Sequence, residues 1–484
     1  MAGSASATMP PMPDSPVITR FAPSPTGRLH VGNVRTALFN YLLARGSGGR
    51  FLLRLEDTDA ERSDVGHERA LIHDLAWLGV VPDAGPDSDD PAGPFRQSER
   101  TGLHAEQLAR LEAEGAAYPC YCTTEELEAE RRAQVAAGQP PRYGGHCRDL
   151  EAAERERLAA EGRRPTLRFR VPAGRGEVVF DDLLRGEQRT DAATLGDFVI
   201  RRADGSPAFL FANAVDDALM GVTHVLRGED HLSNTPRQQL ILEALGLPAP
   251  RWGHVGLVTE MDGSPLAKRA GSRSVADLRE AGFLPEAVAT TLAHLGHAFD
   301  HDDFVDLATL AAGFRPERLS RGPARFDPDQ LLYWQRQAVG AADDAALWAW
   351  LGPRVHERLA DAGIEGEAFV AAVRENLQLP EDTDHWAEVV AGTIEPEPEA
   401  AEELSGAGRE YFTAALEAVA LHGTDFKQVT AEIGERAGVR GRALYRPLRA
   451  ALTGRLHGPE IGPLLALMGA DRASRRLQPY VSER

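Results

Sequence analysis

Cysteine is nearly absent: there are three in 484 residues, too few for a disulfide framework. No apolar run approaches the ~18 residues that a membrane-spanning helix needs, so no membrane is expected among the partners. The opening stretch, MAGSASATMPPMPDSP, lacks the basic start and apolar core of a secretory signal. It reads as a disordered tail over residues 1–16 of a cytoplasmic protein. Lysine is scarce as well. Of 53 basic residues only Lys268 and Lys427 are lysine, and the rest are arginine. Positive charge is in deficit, with 73 acidic residues and a formal net charge of -20. That balance argues against nucleic acid, whose phosphates call for clustered Lys and Arg, but a local basic face can coexist with an acidic field.

The residues that are present describe an ordinary soluble chain, 43% hydrophobic and 26% charged. Its length suggests about three domains at roughly 150 residues each. VITRF (17–21) reads as a strand, APSPTGRLHVGN as a Pro/Gly-rich turn, VRTALFNYLLAR as a helix and FLLRLED (51–57) as a second strand. Strand, turn, helix, strand is a βαβ unit and implies a parallel sheet. ALIHDLAWLG and residues 100–115 read as helices, with a Pro/Asp/Gly loop over 83–96 between them. Short strands dominate 165–200, an insertion between two halves of the first domain. The α/β character resumes with PAFLFANAVDDAL, THVLRGEDH and the helix TPRQQLILEALG, and from about 275 helical periodicity prevails. Within it, the acidic run IEPEPEAAEEL reads as a solvated linker or a helix face.

The most specific string is RFAPSPTGRLHVGN (20–33). Two prolines and two glycines hold a tight turn between strand and helix, where main-chain N–H groups and a helix N-terminus can face an anion. His30 sits where a donor could reach a phosphate, and Gly32 leaves room for a purine ring. With RTALFNYLLAR (35–45), RLEDTDAERS (54–63), NAVDDALMGVTHVLRGEDHLSNTPRQ (213–238), GFLPEAV (282–288) and RPLRAALTG (446–454), this string closely resembles the bacterial glutamyl-tRNA synthetases, a family of class I aminoacyl-tRNA synthetases. FAPSPTGRLHVGN matches their version of the HIGH motif. The resemblance runs from about residue 17 to the end.

The resemblance implies an α/β Rossmann-type catalytic domain with an α+β acceptor-binding insertion, followed by an all-α C-terminal anticodon-binding region. Its expected boundaries are 17–115 and 201–260 for the catalytic halves, 116–200 for the insertion, 261–340 for a loop and stem-contact helical domain, and 341–484 for the anticodon region. It also implies a monomer that activates L-glutamate with ATP and Mg²⁺, then transfers the glutamyl group to the 3′ end of tRNA-Glu. A paralogue that also or mainly charges tRNA-Gln is an alternative, as is a tRNA-binding protein with a decayed activation step. His30 and Lys268 are the expected catalytic groups. Pro23, Thr26, Gly27, Gly32, Asn33 and Arg269 complete the ATP site. The family's KLSKR-type loop here reads Pro265, Leu266, Ala267, Lys268, Arg269, without the first lysine and the serine.

For glutamate, arginine forks suit carboxylates. The resemblance makes Arg20 and Arg227 the candidates, with Arg20 favoured for the side-chain carboxylate. It gives the ammonium to Glu56 and further contacts to Ala22, Ser24, Asn213 and Phe209, where the family expects a tyrosine. Cys120, Cys122 and Cys147 stand where many relatives carry a CxC…CxH zinc site. Asp149 replaces that histidine, and Tyr143 and His146 are nearby alternatives. Structural zinc, with three thiolates and one N or O ligand, and a metal-free insertion both stay open. Arg440, Arg442, Arg446 and Arg449 could position tRNA phosphates, or pair with neighbouring glutamates.

Overall fold

β1 (Ile18–Phe21), α1 (Val31–Gly46) and β2 (Arg50–Leu53) form the expected parallel βαβ unit, with Arg20 opposite Leu52. Val34, Leu38 and Leu42 of α1 recur at helical spacing and are buried. A Cβ at position 49 would lie 1.9 Å from the Val17 carbonyl oxygen, so β2 can begin beside β1 only because Gly49 has no side chain. Strand β2 stops at Leu53, short of the expected 57. Beyond Phe21 the chain carries Pro23 and Pro25, which cannot donate to a ladder. Hydrogen bonds still tie Arg54 N–H to Phe21 O (3.0 Å) and Glu56 N–H to Pro23 O (2.9 Å).

This computed structural model describes residues 16–58, 64–264, 266 and 274–481. The expected tail therefore lies outside the described residues except for Pro16. The chain divides into two units, residues 1–277 with 288–328, and residues 278–287 with 329–484.

In the first unit, α2 (Val65–Trp77) and α3 (Thr101–Ala113) precede the insertion. There β3 (Ala117–Cys120) leads to α4 (Thr124–Ala136), α5 (Ala152–Ala160) and β4 (Thr166–Phe169). The hairpin of β5 (Glu177–Asp182) and β6 (Gly186–Asp191), α6 (Ala192–Leu195) and β7 (Phe198–Arg201) follow. Strands β3, β4 and β7 pair antiparallel. Helix α4 buries no side chain, so no apolar periodicity announces it; its readable signal is the capping box of Thr123 and Glu126. The β5–β6 hairpin is fastened to the sheet by Phe180, whose ring meets Trp252 edge-on at 5.8 Å, and by Leu183 N–H to Trp252 O (2.8 Å).

PAFLFANAVDDAL folds as α7 (Phe209–Leu219). It is followed by a second parallel unit, β8 (His224–Gly228), α8 (Thr235–Leu245) and β9 (Arg251–Val255), with Arg227 opposite His254. Thr223 N–H to Ile18 O (2.9 Å) links this unit to β1. Asp216 of α7 is fully buried and accepts from Gln97 (2.8 Å), Arg100 (2.6 Å) and His104 (2.9 Å). Burial raises its pKa, but His104, Arg54 and Arg100 outweigh it and hold the carboxyl at about 2.

Beyond residue 329 the second unit is helical apart from its connections. The acidic run is a loop as far as Glu397 and then enters the helix Pro398–His422, which buries Ala400 and Leu404. Among the described residues no helix is long and apolar enough to cross a membrane.

Candidate active site

Helix α7 presents Phe209, Asn213 and Asp217 at intervals of four, on one face. Asp217 is 2% exposed and accepts from Arg20 Nε (3.0 Å) and Arg54 Nη1 (2.7 Å). Burial pushes this carboxyl up, yet the two guanidiniums hold it below the usual carboxylate range. Arg54 is wholly buried, and its Nη2 donates to Asn213 Oδ1 (2.8 Å). That bond orients the amide, so Asn213 Nδ2 donates to Glu56 Oε1 (2.6 Å). Asp217, Arg54, Asn213 and Glu56 thus form one continuous chain. Burial pushes Glu56 up to about 7, against the opposing pull of Arg54, Asn213 and Arg20.

Arg227 sits on β8 and is 6% exposed. Its Nε donates to His254 Nε2 (3.1 Å) and its Nη2 to Thr235 Oγ1 (2.7 Å). Among the described residues it makes no ion pair, and burial, helped by nearby Arg20, lowers it to about 9. A buried guanidinium without a carboxylate is an energetic liability unless a ligand supplies one. Among the described residues Arg20 donates through its Nε alone, and its Nη nitrogens make no hydrogen bond. Arg20, Glu56, Asn213 and Arg227 therefore belong to one charged cluster, with Arg20 and Glu56 both acting on Arg227.

His30 caps α1. Its Nδ1 accepts from Gly32 N–H (3.2 Å), which makes Nε2 the protonated nitrogen of the neutral ring. A Cβ at position 32 would lie 3.0 Å from His30 Cε1, so the first consequence of Gly32 is room for this folded-back imidazole. Thr26 N–H donates to Ser24 O (2.8 Å) and Asn33 N–H to His30 O (3.0 Å). Ser24 and Thr26 are exposed, while Ala22 and Gly27 are half-buried. Phe209 is 37% exposed and stacks on His231 at 5.5 Å. Lys268 and Arg269, with Pro265 and Ala267, lie outside the described residues.

The three cysteines converge, with their Sγ atoms all within 4.8 Å of one another. Asp149 does not join them: it is 83% exposed on its side chain and pairs with Arg170 at 3.0 Å. Instead the Tyr143 hydroxyl stands 3.4 Å from Cys120 Sγ and 3.7 Å from Cys122 Sγ. Arg168 lies over the Tyr143 ring at 3.8 Å. Tyr121 N–H donates to Cys147 Sγ (3.4 Å). His146 instead bonds Glu130 (3.1 Å).

In the second unit Arg440 and Arg442 are exposed. Arg446 pairs with Glu403 (3.4 Å), and Arg449 donates to the Pro459 carbonyl (2.8 Å). Sequence reasoning did not find Arg54, Asp217, Asp182, Thr235 or His254. Two adjacent acids inside the apolar helix FLFANAVDDAL were the available signal for Asp217.

The family described as tRNA synthetases class I (E and Q), catalytic domain, matches residues 16–333, and an anticodon binding domain matches residues 367–481. The chain belongs to the class I tRNA synthetases (E and Q). It is 54% identical over 470 residues to a glutamate–tRNA ligase 2 of Alkalilimnicola ehrlichii, covering 96% of this chain and 97% of the relative. A glutamate–tRNA ligase 1 of Halorhodospira halophila is 53% identical over 468 residues, covering 96% and 97%. The crystal structure of a glutamate tRNA ligase from Elizabethkingia meningosepticum, in complex with its amino acid, aligns with a TM-score of 0.85 at 28% identity, over 96% of this chain and 99% of that one.

Proposed function

We propose that this protein is a glutamate–tRNA ligase, acting as a cytoplasmic monomer on tRNA-Glu. The observation that carries the reading is the buried Arg227 guanidinium, which has no carboxylate partner among the described residues and stands in the same charged cluster as Arg20 and Glu56. The substrate would bring two carboxylates and one ammonium, which complement two arginine forks and one glutamate. Arg20, through its Nη nitrogens, and Arg227 hold carboxylates; Glu56, oriented by Asn213, holds the ammonium; Ser24, Ala22 and Phe209 line the same ligand. The α-carboxylate oxygen then attacks the α-phosphorus of ATP, pyrophosphate leaves, and the tRNA ribose displaces AMP from the adenylate. Mg²⁺ accompanies the nucleotide and neutralises its phosphates.

For ATP, the protonated His30 Nε2 and the N-terminus of α1 supply donors for phosphate oxygens, alongside Lys268, Arg269, Pro23, Thr26, Gly27, Gly32 and Asn33. Lys268 takes the phosphate role that a compact ammonium suits. Arg440 and Arg442 are the exposed candidates for tRNA phosphates, since Arg446 and Arg449 are engaged within the chain. The test is ATP-dependent attachment of labelled glutamate to tRNA-Glu, and of labelled glutamine as the comparison. Glutamine charged as well as glutamate would overturn the carboxylate role of the arginines.

Glu56 adds a pH signature. Its proton must leave before it can hold an ammonium, so glutamate affinity is full above pH 7 and falls as the pH drops through 7. The KM for glutamate is expected to rise about fivefold between pH 7 and pH 6. Glu56→Gln has a high KM throughout and loses this dependence. A flat wild-type profile would remove Glu56 from the ammonium.

The cysteine cluster fits structural zinc by its donor set: three convergent sulfurs and a phenolic oxygen near two of them supply the S₃O donors that a four-coordinate zinc would take. Hydrogen bonding, first from Cys122 and then from Cys147, pushes the Cys120 thiol far below its ordinary range. We assign Tyr143, rather than Asp149, as the fourth ligand. Metal analysis of the dialysed protein should find about one zinc per chain in the wild type and in Asp149→Ala, and depleted zinc in Tyr143→Phe. Zinc lost from Asp149→Ala and kept by Tyr143→Phe would reverse the assignment.

A further inference from the structure

The insertion contributes one buried group to the neighbourhood of the glutamate site. Asp182 ends β5 and is 2% exposed. Its Oδ1 accepts from Leu184 N–H (2.9 Å) and Arg185 N–H (2.9 Å). Its Oδ2 lies 2.5 Å from His254 Nδ1 and accepts from His254 N–H at 3.2 Å. His254 is fully buried on β9, directly across the parallel pair from Arg227. Its other nitrogen, Nε2, receives Arg227 Nε at 3.1 Å and lies 3.0 Å from Thr235 Oγ1. Thr235, also fully buried, accepts from Arg227 Nη2.

The direction of each bond follows from the chemistry. A guanidinium Nε can only donate, so His254 Nε2 must accept. The single proton of the neutral ring is then on Nδ1, where Asp182 receives it. We propose that Asp182 and His254 are positioning residues that set the tautomer of one ring and thereby the orientation of Arg227, the substrate-binding arginine. The role rests on the reading of Arg227 given above. Asp182 fixes which nitrogen accepts, His254 and Thr235 hold two guanidinium nitrogens, and Arg227 Nη1, which has no partner among the described residues, is left for the substrate carboxylate. The buried histidine stays neutral because burial lowers it and outweighs Asp182.

Arg227 is assigned to a carboxylate of the amino acid and not to the phosphates or the leaving pyrophosphate, so its misplacement is read first in the KM for glutamate and not in the KM for ATP. Charging of tRNA-Glu is therefore measured against glutamate and against ATP in four proteins. His254→Leu removes the acceptor, and the KM for glutamate should rise about tenfold or more, with the KM for ATP and kcat within about threefold. His254→Gln returns an acceptor oxygen near the Nε2 position and should recover most of the loss. Asp182→Asn frees the tautomer and should fall between wild type and the leucine variant. Equal behaviour of the leucine and glutamine variants, or a joint rise of both KM values, would overturn the relay and leave a merely structural role. Histidine ¹⁵N NMR gives an arm independent of activity. Wild type should show the buried ring protonated on Nδ1, and Asp182→Asn should show the Nε2 tautomer appear. The wild-type ring protonated on Nε2 would overturn the proposal even in an active enzyme. Absence of charging with the Nδ1 tautomer in place would count against the functional reading instead.

Discussion

Arg227→Leu is expected to leave a folded protein that scarcely recognises glutamate. Truncating one partner of a buried charged pair costs about 2–5 kcal/mol, roughly 30- to 5,000-fold in kcat/KM at 1.36 kcal/mol per decade. The loss should fall mostly on the KM for glutamate. The same substitution should not destabilise the protein. In the free chain the guanidinium is held below its ordinary pKa, to about 9, by burial, and it has no ion-pair partner among the described residues. Replacing such a group with a leucine removes a desolvation cost. The pairing of weakened substrate recognition with an unchanged or higher unfolding midpoint separates a ligand-binding arginine from a structural one. An Arg227→Leu protein with normal glutamate KM would contradict the role, and one that unfolds early would indicate a structural pairing instead.

Asp217→Ala should have the opposite balance. Asp217 answers Arg20 at 3.0 Å and Arg54 at 2.7 Å, and all three side chains are at most 6% exposed. Its loss leaves two buried guanidiniums without their shared carboxylate. Breaking a buried pair by removing one partner costs about 3–5 kcal/mol, a large share of a typical domain's stability. The denaturant midpoint should drop accordingly, and activity should fall with it, because Arg20 and the Arg54–Asn213–Glu56 chain lose their anchor. Asp217 is held below the usual carboxylate range, so its contribution is present above the unfolded-state pKa. It is lost as the pH falls through the folded value. The stability gap between wild type and Asp217→Ala should therefore narrow in acid. A gap that does not change with pH would show that the pairing contributes nothing.

The contrast between these two residues explains what could be read in advance. Arg20, Glu56, Asn213 and Arg227 stand inside strings whose order is itself a signature. Asp217 and Arg54 act through partners 197 and 163 residues distant in the chain, and no local pattern pairs them. Asp182 and His254 are separated by 72 residues and belong to different segments, the insertion and the second parallel unit. Gly32 was read as space for a base, whereas its nearest neighbour is the His30 ring. The cysteine spacing singled out three sulfurs that do converge, whereas for a fourth group the family position gave Asp149, with Tyr143 and His146 as alternatives. Arg170 draws Asp149 outward, and the turn before Cys147 brings the Tyr143 hydroxyl back onto its N–H at 2.8 Å. Helix α4, whose inner face is only half-buried at Leu127, Glu130 and Gln134, shows why apolar periodicity fails where no side chain is fully buried. The KLSKR-type motif at 265–269 is read from sequence alone, since Pro265, Ala267, Lys268 and Arg269 lie outside the described residues.

Selection of a dicarboxylic amino acid by two arginines and Glu56, for attachment to tRNA, is the proposed basis of the activity. It is tested most directly by incubating the purified protein with ATP, Mg²⁺ and tRNA-Glu, once with labelled glutamate and once with labelled glutamine. A parallel tube containing tRNA-Gln distinguishes a discriminating enzyme from one that also charges that tRNA. ATP-dependent label is expected on tRNA-Glu with glutamate, and none above background with glutamine. Label from glutamine equal to that from glutamate, or none from either while the tRNA stays bound, would contradict it.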